Sequence, residues 1–171
     1  MSNAPVPGCS EETLIRLMDL YGGMLTGLCA MTLDDASLAQ DAVQETFWKA
    51  YRRLPPSGEV RSERAWLIRV AINCCRDMKR SAWMRHTDRR VSLDRLGEVA
   101  APPVSQDTDV LDAVRRLPVK ERQIILMRYW QNLSAEETAE ALGLNRATVY
   151  RRLARAQKRL KNLVEGWESD D

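Results

Sequence analysis

Residues 133–160 restrict the fold more than any other part of the chain. Ser134 and Glu137 form S-x-x-E, a capping box that opens a short helix with Ala135, Thr138, Ala139 and Leu142 on its inward side. Gly143 follows at once, where a tight turn needs a left-handed residue, and Leu144 is expected to tuck into the core. Asn145 then caps a second helix with Val149, Leu153, Ala156 and Leu160 inward. Short helix, glycine turn and second helix make a helix-turn-helix pattern. The outward face of the second helix carries Arg146, Tyr150, Arg151, Arg155 and Lys158, with Thr148, Arg152, Arg159 and Lys161 alongside. Arginine can fork onto guanine in a major groove while flanking cations neutralise phosphates. A merely solvated basic helix is the alternative; cap, turn and apolar spacing together favour DNA.

Upstream, the apolar residues again recur at three and four. From residue 11 to about 54 they mark two helices, one with Leu14, Leu17, Met18, Tyr21, Leu25 and Leu28 inward, the next with Leu38, Ala42, Phe47, Tyr51 and Leu54. Asp34, Asp35 and Ser37 offer caps between them, and Pro55, Pro56 and Gly58 stop the second. A third helical pattern runs from about 62 to 85, with Trp66, Leu67, Val70, Ala71 and Cys74 on one face and Arg69, Arg76, Lys79 and Arg80 on or near the other. From 86 to 107 periodicity gives way to Pro, Gly, Ser and mixed charge. Helices resume at Asp109, with Val110, Val114 and Leu117, and again from 119 to 130. The expectation is an all-α protein of two small helical domains, 11–86 and 108–165, joined by a flexible linker over 87–107, the C-terminal one a helix-turn-helix.

Charge supports two polyanion contacts. Residues 1–60 hold 8 acidic and 4 basic side chains, 61–95 hold 4 acidic and 10 basic, and 143–164 hold 7 basic and none acidic. Cys9, Cys29, Cys74 and Cys75 show no metal-ligand spacing and the single histidine is His86, so no metal or cofactor is expected. The adjacent Cys74 and Cys75 read as small buried side chains, a redox switch being the alternative. No glycine-rich phosphate loop or nucleophile motif suggests an enzyme or a small-molecule substrate. Neither a secretory leader nor an apolar run near the roughly 18 residues of a membrane span is expected, which predicts a cytoplasmic chain. A repressor or activator with a sensing domain shares the helix-turn-helix, so the N-terminal half must decide.

That half resembles a known family. DAVQETFWKAYR at 41–52 resembles the D-x-V-Q-E-x-F-x-x-A-[WY]-R signature of region 2 of the sigma-70 family, and AWLIRVAIN at 65–73 resembles its A-W-L-x-R-I-A-x-N segment. Leu117-Pro118 and residues 133–160 are similar to region 4, and the lack of a helical domain between the two matches the extracytoplasmic-function type. The resemblance implies a promoter-specificity subunit of RNA polymerase that carries no chemistry of its own. Asp41, Gln44, Glu45 and Trp48, spaced i, i+3, i+4 and i+7, share one helix face, and the resemblance assigns that stripe to the clamp helices of the largest polymerase subunits. It assigns the loop 55–61 and the basic helix, through Arg61, Arg69, Asn73, Arg76, Lys79 and Arg80, to the minus-10 element of promoter DNA. Flipping a base there costs on the order of a few kcal/mol, which stacking and cations must offset. Trp66 and Trp83 could stack, although helical spacing favours a structural reading of each. The recognition helix is assigned to the minus-35 element. An anti-sigma factor, often tethered to the inner membrane, is the further partner that the resemblance implies.

Overall fold

The computed structural model describes residues 8–56, 59–60, 62–88 and 108–168; among them it contains helices and no strand. The chain divides into two compact units, Met1–Leu96 and Gly97–Asp171. Nearly all of the expected linker lies outside the described residues, but its first two positions continue a helix.

In the first unit α1 (Glu11–Leu33), α2 (Ala36–Arg53) and α3 (Glu63–Asp88) each pack on the other two. Ser10 caps α1, its Oγ accepting from the Thr13 N–H at 3.2 Å, with Glu11 and Glu12 favourably placed at the positive end of the helix dipole. Two consecutive aspartates divide the next junction. Asp34 adopts a left-handed conformation that ends α1, and Asp35 caps α2 by accepting from the Leu38 N–H at 2.9 Å. The buried positions differ in detail from those expected. Leu17, Leu25 and Leu28 are inside as predicted, but Met18 is exposed and Cys29 and Thr32 are buried instead. On α2 the core face is Ala39, Ala42, Thr46, Phe47 and Ala50, with Leu38 and Tyr51 only half-buried. Small side chains on that face let the helices approach closely, which displaces the larger residues to the flanks. The hydroxyls of Thr32 and Thr46 are satisfied by the carbonyls four residues back, each at 2.7 Å. α3 contributes Leu67, Ile68, Ala71, Ile72, Cys74 and Cys75, while Val70 and Trp66 stay half-buried. Each fully buried leucine or isoleucine here stabilises the bundle by about 2 kcal/mol.

One expectation is corrected. α1 is long and apolar enough to cross a membrane by length and composition, with a mean hydropathy of 1.2 over its most apolar stretch. Leucine, isoleucine, methionine and cysteine raise that average, and Leu17, Leu25, Leu28 and Cys29 among them are buried in the helical core. The cysteines follow the bland reading, Cys29, Cys74 and Cys75 being buried and Cys9 half-buried, all as free thiols. A hydrogen bond with Cys29, then burial, pushes the Cys75 thiol well up, and burial pushes Cys74 up, so both stay protonated.

The second unit comprises α4 (Thr108–Arg116), α5 (Val119–Ile125), a π-helical turn (Leu126–Trp130), α6 (Ala135–Leu142) and α7 (Arg146–Glu168). Val114 and Leu117 are buried as expected, but Val110 is exposed and Ala113 takes the inward place. Arg122, itself buried, donates to the carbonyls of Arg115 and Leu117, joining the end of α4 to α5. The expected single helix over 119–130 is broken by the π-helical turn, in which the Gln131 N–H reaches the Leu126 carbonyl at 2.9 Å. This wider turn buries Leu126 and Met127 and turns Tyr129 and Trp130 outward, just before the helix-turn-helix begins.

Candidate nucleic-acid and partner interfaces

The helix-turn-helix is built from local chemistry. The Ser134 Oγ accepts from the Glu137 N–H at 3.1 Å while the Glu137 carboxylate accepts from the Ser134 N–H at 2.7 Å, completing the capping box. Gly143 is left-handed at φ 64°, and the Leu144 N–H reaches the Ala139 carbonyl at 2.8 Å, a Schellman turn that only a residue tolerant of positive φ closes without strain. Asn145 Oδ1 accepts from the Thr148 N–H at 2.8 Å and starts α7. Ala135, Thr138, Ala139, Leu142, Val149 and Ala156 are buried; Leu144, Leu153 and Leu160 are half-buried.

α7 presents its cations unequally. Arg151 and Lys158 are exposed opposite Val149 and Ala156, on the same face as the exposed Ala147 and Ala154. Arg155 is exposed beside them and Arg151 donates to the Thr148 hydroxyl at 3.3 Å. Arg152 is half-buried. Arg159 lies 3.3 Å from the carboxylate of Glu121 on α5, whose side chain is only 9% exposed, so this cation also holds α7 to α5. Arg146 pairs with Glu136 of α6 at 3.0 Å, and the Tyr150 hydroxyl together with Glu136 pushes its guanidinium still further toward the charged form.

On α3 the predicted residues Arg69, Asn73, Arg76, Lys79 and Arg80 are all exposed. Arg69, Asn73, Arg76 and Arg80 recur at i, i+4, i+7 and i+11 and so form one ridge, with Lys79 beside it. Trp83 continues that ridge at i+14 and is 68% exposed, so it is not part of the core. The heptad step from Arg76 to Trp83 was the signal that would have found it. An indole beside a file of cations is a stacking platform for an unpaired base. Arg61 and part of the 55–61 loop lie outside the described residues.

On α2, Asp41, Gln44 and Trp48 are exposed and Glu45 is half-buried, held 3.7 Å from Lys49. The Trp48 ring stacks on Tyr51, with centroids 6.2 Å apart, and Arg52 sits over it at 5.6 Å. Phe47 is buried, as predicted. Beside the stripe runs a groove of about 700 Å³ between α1 and α2, floored by Leu14, Ile15, Met18, Val43 and Phe47 and edged by Trp48. The sequence reading missed this groove because it placed Met18 in the core. Among the described residues no group of three or more His, Cys, Asp or Glu side chains is placed to hold a metal ion.

Residues 17–85 match the family model described as Sigma-70 region 2, and residues 107–160 match the one described as Sigma-70, region 4. The ECF RNA polymerase sigma factor SigL of Mycobacterium tuberculosis is 30% identical over 167 residues, spanning 94% of this chain and 94% of its own. The RNA polymerase sigma-E factor of Streptomyces antibioticus is 30% identical over 132 residues, 77% of this chain and 73% of its own. Among solved structures, the sigma factor RpoE of Bartonella quintana, in complex with the anti-sigma factor NepR, is similar with a TM-score of 0.77 at 22% identity, over 94% of this chain and 99% of that one.

Proposed function

The chain belongs to the sigma-70 family of transcription initiation factors, in its extracytoplasmic-function branch, and from that premise we propose that it carries core RNA polymerase to promoters and opens them. Residues 11–86 act as region 2, 87–107 as linker and 108–165 as region 4. The observation that carries the reading is the sorting of three chemically different surfaces onto separate helices. α2 bears an acidic and aromatic stripe beside an apolar groove, which suits a helical protein partner. α3 bears cations, an amide and an exposed indole on one ridge, which suits a single strand with unstacked bases. α7 bears a basic recognition helix, which suits a duplex major groove.

In this mechanism Asp41, Gln44, Glu45 and Trp48 hold the clamp helices of the largest polymerase subunits. Arg151 and Arg155 read bases of the minus-35 element, with Arg146, Thr148, Tyr150, Arg152, Lys158 and Arg159 supporting them on sugar and phosphate. Asn73 contacts a base of the melted minus-10 element; Arg61, Arg69, Arg76, Lys79 and Arg80 neutralise the strand and Trp83 stacks on it. Polymerase makes the phosphodiester bonds, so this chain needs no catalytic group, cofactor or small-molecule substrate. It works in the cytoplasm. An anti-sigma factor that covers the α1–α2 groove and the stripe keeps it idle, and one anchored in the inner membrane would hold it there. The experiment pairs gel shift with transcription in vitro. Tight, specific promoter binding only in the presence of core enzyme, followed by transcript synthesis, is expected; tight operator binding by the chain alone would replace this reading with that of a repressor.

A further inference from the structure

The segment ahead of α1 makes contacts that none of the roles above uses. The Cys9 N–H donates to the Tyr51 carbonyl at 3.2 Å, and the Cys9 thiol lies 3.6 Å from the Ala50 carbonyl. Both acceptors belong to the last turn of α2, where the Ala50 carbonyl also takes the Leu54 N–H at 3.0 Å. Gly8 comes closer still. A Cβ there would stand 2.6 Å from the backbone nitrogens of both Arg53 and Leu54, and 2.9 Å from the carbonyl carbon of Arg52, so no side chain fits. Leu54, which is buried, is where α2 stops and the loop 55–61 begins.

The far end of that loop has its own fastening. On α1, Arg16 Nη2 reaches both carboxylate oxygens of Glu63, at 2.9 and 3.1 Å, and Glu63 is the first residue of α3. The Ser62 hydroxyl caps the same helix start by accepting from the Ala65 N–H at 3.3 Å. The segment before α1, and α1 itself, therefore grip both ends of the connection between α2 and α3.

We propose that residues 8–10 and the Arg16–Glu63 pair form a clasp that fixes the end of α2 and the start of α3, and through these helix ends the reading of the minus-10 strand by the connection between them. The inference rests on the reading of that loop given under the proposed function. A base-reading contact must be held within about 0.5 Å of its working geometry, so the helix ends that carry the connection must themselves be fixed. Gly8, Cys9, Arg16 and Glu63 are positioning residues, acting through the loop rather than on DNA.

The test uses holoenzyme reconstituted from the full chain and core polymerase, selecting from a pool of pre-melted promoter fragments randomised at the minus-10 element. Core affinity, minus-35 preference and thermal unfolding are measured alongside. Gly8→Ala, which pushes on backbone, and Cys9→Pro, which removes the donated N–H, should each lower minus-10 preference about tenfold while core affinity and minus-35 preference hold. Glu63→Arg should do the same, and adding Arg16→Glu should restore the preference, which a simple loss of stability would not predict. If the Gly8 and Cys9 variants fail to fold, the Arg16–Glu63 charge pair decides alone. Glu59→Ala with Val60→Ala, inside the loop, is the control. Loss in the control with wild-type preference in the folded clasp variants overturns the clasp and leaves the loop reading standing. Wild-type preference in the control overturns both.

Discussion

Single side chains in this protein differ in whether they are free to meet a partner. Asp41 is exposed, and Glu45 pairs with the half-buried Lys49, an i, i+4 pair that stabilises the helix by less than about 0.5 kcal/mol. Asp41→Arg with Glu45→Arg should therefore abolish core binding and transcription with no change in circular dichroism; a folded double mutant that still binds core would detach the stripe from polymerase. On α7 the structure separates residues that look alike in sequence. Arg151 faces away from the core, so Arg151→Ala should relax base choice at a cost of about 1–3 kcal/mol, seen as a flattened selection profile. Lys158→Ala should weaken all sequences alike and leave the melting temperature unchanged. Arg159→Ala should lower both DNA affinity and the melting temperature, because it strips the partner from the nearly buried Glu121 carboxylate. Equal melting temperatures for the Lys158 and Arg159 variants would reduce the Glu121 contact to a surface pair of no consequence.

At the scale of elements, the turn between α6 and α7 sets the angle at which the recognition helix is offered. Gly143→Ala should cost about 1 kcal/mol, because φ 64° places a Cβ against its own carbonyl although no neighbour lies within 4 Å. Ser134→Ala should cost a similar amount, about 1 kcal/mol, by leaving the Glu137 N–H without its acceptor. Urea unfolding measures both. If Gly143→Ala were neutral, the left-handed turn would be a choice the chain can abandon rather than a constraint. The first unit depends instead on close contact, α2 offering Ala39, Ala42 and Ala50 to its neighbours and leaving Met18, Ile15 and Trp48 to line the groove outside.

At the scale of the whole molecule, exposed cations among the described residues are spread over two units, along α3 in the first and α7 in the second. DNA affinity of the chain alone should thus be weak and steeply salt-dependent, the logarithm of affinity falling by about 0.9 per phosphate neutralised for each unit of log salt. With core polymerase bound, affinity should rise and the minus-10 contacts should add to that slope. Titrating promoter duplex at several salt concentrations, with and without core, gives both numbers; identical slopes in the two conditions would mean that the α3 ridge never reaches DNA.

Much of this was legible in the chain itself, wherever the deciding interactions span only a few residues. The capping box at Ser134, the left-handed Gly143, the Asn145 cap and the Asp34–Asp35 junction are local chemistry, so their residue types announce them. The alternation of charge announced two basic helices for the same reason. Which apolar side chains lie inside was settled by packing between helices distant in sequence. Periodicity placed Met18, Val110 and Trp83 with their helices but could not weigh them against Cys29, Ala113 and the exposed face of α3. The π-helical turn, the Arg159–Glu121 tie and the fit of Gly8 against Leu54 likewise exist only once the helices meet. Sequence spacing encodes direction around one helix axis; closeness between axes is a property of the folded bundle alone.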